Sequence, residues 1–170
     1  MKSSMILLFL CIGLALLCGC GQDPGPSPQS KADGEPLNIT YFSFSHSSSS
    51  SDGCFHLELS REASGIHVHV EELFYGGRVG DAILQSDMLD RLGKLAGEYH
   101  IDQWNGFNKS NSLVSDGSSF TLRMTLEDGT TVFARGNNSF PEHYSVISSA
   151  VRDLYLELME EYGQAQENAE

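Results

Sequence analysis

Five stretches of the chain read as strands, and three of them alternate apolar and polar residues with period two, the signature of one buried face. They are Leu37 to His46, Cys54 to Ser60, Ile66 to Glu72, Phe120 to Leu126 and Thr130 to Arg135. In the second, Phe55, Leu57 and Leu59 share a face; in the third, Ile66, Val68 and Val70 do. Glu127-Asp128-Gly129 marks a hairpin turn between the last two. A turn of two or of three residues there decides whether Phe133 or Val132 points inward. Helical spacing appears twice. Leu89, Leu92, Ala96 and Tyr99 follow Ser86 and Asp87, either of which can cap. Gly93 and Gly97 weaken that helix and permit close packing. Ile147, Val151, Leu154, Tyr155, Leu158 and Tyr162 form the second stripe. It follows Ser139-Phe140-Pro141-Glu142, which reads as a capping box, and stops at Gly163.

The order β-β-β-α-β-β-α predicts an α+β domain over residues 37–163. Its expected form is a five-stranded, mostly antiparallel sheet with both helices packed on one face, which buries every apolar stripe. Residues 164–170 read as a disordered tail. Phe74-Tyr75-Gly76-Gly77-Arg78-Val79-Gly80 reads as a flexible connection, and residues 100–119 as mostly loop around Trp104-Asn105-Gly106-Phe107. Four of the five prolines fall within residues 21–36, a tether that reaches about 20–25 Å as a coil.

Ahead of the tether, Lys2 precedes an apolar run from Met5 to Leu17. As a helix it would rise only about 20 Å, too short for a permanent bilayer span. Residues 1–19 therefore read as a secretory signal. Leu17-Cys18-Gly19-Cys20 then resembles the lipobox of bacterial lipoproteins: a branched aliphatic, a tolerant position, a small residue and Cys. The resemblance implies cleavage before Cys20 and a diacylated Cys20 thiol. It places the domain at the cell membrane, lipid-anchored on the extracytoplasmic face. A second resemblance joins Trp104-Asn105-Gly106-Phe107, Asp116-Gly117-Ser118-Ser119-Phe120 and Gly136-Asn137-Asn138-Ser139-Phe140-Pro141. These are similar to a pattern in small bacterial lipoproteins of unknown activity, so no catalytic residue carries over.

Composition narrows the function. Ten Lys and Arg against 23 Asp and Glu leave a formal charge of −13, which excludes nucleic acid and electrostatic docking on anionic lipid. With Cys11 and Cys18 removed and Cys20 acylated, Cys54 is the one thiol of the domain, so no disulfide framework supports it. It reads as buried and inert. Serine-elbow, His-Glu-x-x-His and Cys-x-x-Cys motifs are absent.

The densest candidate chemistry is histidine. If the second and third strands form a hairpin, the central register pairs His56 with His69, Glu58 with His67 and Cys54 with Glu71 on the solvated face. Opposed Cβ atoms lie about 4.5–5.5 Å apart, so the imidazoles of His56, His67 and His69, with Glu58, could converge on Zn or Cu. The same residues also suit ordinary cross-strand polar pairs. Trp104 reads as a plug at the core edge; the alternative makes it a surface platform for a ligand. The expected function is a non-enzymatic binding domain for an envelope protein, peptide or other envelope component. A metal-binding module on the histidine face and an unrecognised envelope hydrolase are the alternatives.

Overall fold

The computed structural model describes residues 34–49, 54–72, 79–114 and 117–167, with side chains to 161. The signal segment, Cys20, the tether up to residue 33, the Gly76-Gly77-Arg78 connection and the last three residues of the tail lie outside the described residues. The strands are β1 (Ile39–Ser48), β2 (Phe55–Glu62), β3 (Gly65–Glu72), β4 (Val79–Leu84), β5 (Asn108–Ser110), β6 (Ser118–Leu126) and β7 (Thr131–Asn137). Helix α1 (Met88–Glu98) follows β4, a 3-10 turn (Ile101–Trp104) precedes β5, and α2 (Tyr144–Glu167) closes the chain.

Among the described residues, seven strands form one sheet in the order β4-β3-β2-β1-β6-β7-β5. The expected five-stranded, mostly antiparallel sheet is thus corrected to a mixed sheet of seven strands, because β5 pairs with β7 in parallel. The two additional strands escaped the period-two pattern for different reasons. In β4, the residues opposite core positions Val70, Val68 and Ile66 are Gly80, Ala82 and Leu84, while Val79 and Ile83 are half exposed on the other side. An edge strand that needs little bulk inward carries its large side chains outward, so its hydrophobic alternation is inverted. The β5 strand is three residues long, wholly exposed and polar, and has no apolar signal.

One sheet face is the core. Phe42 and Phe44 of the central strand β1 lie in line with Leu59 and Leu57 of β2 and with Met124 and Leu122 of β6. Val132 points inward opposite Met124, so Phe133 faces outward. Ile147, Val151, Leu154 and Leu158 of α2, with Met88, Leu89, Leu92 and Ala96 of α1, complete the same cluster. Ser86, not Asp87, supplies the side-chain bond at the α1 start, accepting from the Met88 N–H at 3.2 Å.

Two helix boundaries differ from expectation. The Ser139–Glu142 box does not start α2, because His143 adopts a left-handed φ of 61° and helical geometry begins only at Tyr144. At the other end α2 continues through Gly163 to Glu167. A glycine lowers helix stability but ends a helix only where the backbone turns left-handed.

At the edge of the core, Nδ1 of the half-buried His46 lies 2.9 Å from the hydroxyl of the buried Tyr144. Burial, and then the Arg152 charge, hold the His46 imidazole below its ordinary value of 6.5, and burial pushes the Tyr144 phenol up. The unfolded chain therefore takes up a proton at His46 before the folded one does. Stability contributed by neutral His46 is present above pH 6.5 and is lost as pH falls through that value toward the lower folded pKa. We expect urea midpoints to fall between about pH 7 and pH 5, and to fall less in His46→Gln. An equal loss in both proteins would remove His46 as the cause.

Candidate functional site

The solvated sheet face carries the histidines, as the alternation requires, but in another register. His56 pairs with Glu71, Glu58 with His69 and Ser60 with His67. The strands have slipped by two residues from the central expectation, which preserves the face and changes every partner. Cys54 does not oppose Glu71; it is buried at the start of β2, where its sulfur accepts from the Ser48 N–H at 3.0 Å. The imidazoles settle on carboxylates instead of converging. His69 Nδ1 lies 3.0 Å and His67 Nε2 3.6 Å from the same Asp81 oxygen on β4, while His56 Nε2 lies 3.7 Å from Glu58. The His56 and His69 rings meet edge to face at 6.0 Å. Among the described residues no three His, Cys, Asp or Glu side chains are grouped to hold a metal ion.

One trio on this face has a nucleophile's composition. Ser45 Oγ lies 2.8 Å from His56 Nδ1, and Glu58 stands beyond the other ring nitrogen. The Glu58 separation exceeds hydrogen-bond length, so the imidazole is not oriented by it. Ser45 and His56 are directly opposed in the β1–β2 ladder, on an open sheet face. The trio is a cross-strand polar pair with a neighbouring carboxylate.

A concave site lies elsewhere, between the C-terminal end of α1, the 3-10 turn, β5 and the approach to α2. It is a half-open cavity of about 340 Å³. Its walls are Tyr99, Trp104, Phe107 and Phe140; its rim carries His100, Gln103, Lys109, Glu142 and His143. This size and mixture match small-molecule sites, which combine apolar rings with a few convergent polar groups.

The core holds the rings in place. Trp104 is only 5% exposed and meets Phe120 of β6 edge-on at 6.1 Å. Phe140 stacks on Tyr144 at 4.4 Å and keeps 39% of its surface exposed. Lys109 sets its ammonium 5.3 Å from the centre of the Phe107 ring. The Trp104-Asn105-Gly106-Phe107 segment is fastened to β7: Asn105 Oδ1 accepts from Phe133 N–H, Gly106 N–H donates to Phe133 O, and Arg135 N–H donates to Phe107 O.

Two imidazoles reach the rim from strained backbone. His100, with φ 51°, turns the chain out of α1, and His143, with φ 61°, turns it into α2. A non-glycine residue in this region costs roughly 1–2 kcal/mol. The two lie 43 positions apart in the chain and line one cavity. The His143 ring also meets Tyr99 edge to face at 5.4 Å.

Of the candidate site residues named from the sequence, Trp104 alone belongs to this cavity, as a buried wall and not as an exposed platform. His56, His67, His69 and Glu58 stay on the sheet face, outside it. Tyr99 entered only the first helix stripe and Glu142 only the capping box, while His100, Gln103, Lys109 and His143 carried no signal of their own. The available clue was the density of aromatic residues in two segments that lack strand or helix periodicity. Comparison with family models, with curated proteins and with solved structures gives no match. No helix among the described residues is long and apolar enough to cross a membrane.

Proposed function

We propose that this protein is a lipid-anchored, non-enzymatic binding domain on the extracytoplasmic face of the cell membrane, and that the cavity at Trp104 is where it binds. The observation that carries the binding role is the cavity itself: core-supported rings on its walls and polar side chains around its mouth. The Leu17-Cys18-Gly19-Cys20 sequence supports the anchor, with acylated Cys20 as the membrane attachment and residues 21–36 as the tether to the domain. Two or more acyl chains hold a protein stably, since each buried methylene contributes about 0.8 kcal/mol.

Cys20→Ser removes the acceptor thiol. We expect the variant to leave the detergent phase or to accumulate unprocessed, with a mass that includes residues 1–19. A variant that partitions with the detergent as the wild type does, with its signal removed, overturns the anchor. The metal-binding alternative finds its best support in Asp81 shared by His67 and His69, and the hydrolase alternative in the Ser45–His56 contact. Ser45, His56, His67, His69 and Asp81 lie outside the Trp104 cavity, whose aromatic walls and polar rim favour the binding reading.

A further inference from the structure

We infer that the cavity takes a saccharide, with a neutral pyranose ring lying against the aromatic walls and its hydroxyls bonded to the rim. This rests on the reading of the cavity as the binding site and names its ligand class. A pyranose has a C–H-rich face, which packs on a ring face, and an edge of hydroxyls that both donate and accept. The site matches both halves. Phe140 offers an exposed ring, and Trp104 and Tyr99 supply further aromatic wall. Around them Gln103 both donates and accepts, Glu142 accepts, Lys109 donates, and each of His100 and His143 has two ring nitrogens. Hydroxyls satisfy such a mixed set, whereas a purely apolar ligand would leave it desolvated and unpaired.

Charge separates a sugar from the other aromatic-seeking ligands. A quaternary ammonium ion meets the Lys109 ammonium, which already stands 5.3 Å from the Phe107 ring and repels a second cation. An anion meets Glu142 at the rim and a chain of formal charge −13 behind it. Lys109 and Glu142 offset each other, leaving the rim suited to a neutral ligand.

Trp104 is the chain's single tryptophan, so its emission reports this cavity alone. The full-length protein, in a detergent without a sugar headgroup, is titrated with cellobiose, chitobiose and maltose. Free phenylalanine and choline are run in parallel. We expect at least one disaccharide to shift the emission saturably, with about tenfold weaker binding in Phe140→Ala. Gln103→Ala, at an exposed position, provides a second variant that leaves the core untouched, and it should weaken the same disaccharide. If phenylalanine or choline shifts the emission and no disaccharide does, the saccharide assignment fails while the cavity remains the binding site. If nothing in the panel shifts it, both fail. A disaccharide signal unchanged in both variants places the sugar outside the cavity and overturns the assignment.

Discussion

Phe44→Ala is expected to destabilise the domain by about 4 kcal/mol, the largest effect of any single substitution considered for this fold. Phe44 is fully buried on β1, the strand at the middle of the sheet. Its ring packs against Phe55 at 6.0 Å, Phe120 at 6.4 Å and Tyr144 at 6.3 Å. It thus joins β2, β6 and the first residue of α2. Truncation removes the transfer free energy of the ring and leaves a cavity that rigid strands on both sides cannot collapse. Domains of this size have roughly 5–15 kcal/mol in total, so the variant should sit near the unfolding threshold. Urea unfolding monitored at the backbone gives the value. A loss below about 1 kcal/mol would mean that the ring does not hold these elements together.

Gly97→Ala carries the second expected effect, and its sign is the informative part. In an unobstructed helix interior, alanine is better than glycine by about 0.8–1 kcal/mol. Here the chain entering the domain lies directly on α1. The Leu37 N–H donates to the Gly93 carbonyl at 2.9 Å. A Cβ on Gly97 would collide with the Glu35 carbonyl oxygen, and one on Gly93 with that of Leu37. Both obstacles are backbone, so no side-chain rotation relieves them. We expect Gly97→Ala to cost about 1–3 kcal/mol in the same urea experiment, despite alanine's propensity. Lys94→Ala, on the exposed side of the same helix, should leave stability within about 0.5 kcal/mol. Stabilisation by Gly97→Ala would place the entering segment away from α1.

These two positions were legible to different degrees. Phe44 belongs to an aromatic, β-branched stretch, and a buried strand follows from that composition. Gly93 and Gly97 announced close packing without naming what packs. The obstacle, residues 35–37, is more than fifty positions away in the chain. No local pattern encodes that meeting; it exists only because β1 passes beside α1 in the finished core.

The histidine face makes the same division. Period-two alternation put His56, His67 and His69 on one side of β2 and β3, and they lie there. Which partner each imidazole meets depends on the hairpin register and on β4, whose inverted alternation hid it. Asp81 of β4 now takes two of the three histidines. A two-residue slip preserves hydrophobic burial, so the apolar pattern is indifferent to it.

Locally encoded features were within reach of the linear chain: the acidic charge, five of the strands and the apolar stripes of both helices. Each depends on neighbours a few positions apart, where side-chain periodicity and backbone geometry coincide. Strand order, the parallel β5, the register of the histidines and the cavity at Trp104 came from the tertiary structure. They depend on the register chosen between neighbouring strands and on segments that meet only in the folded sheet. There the winning arrangement is chosen by total burial and by backbone hydrogen bonds between distant residues, quantities that no short window of sequence contains.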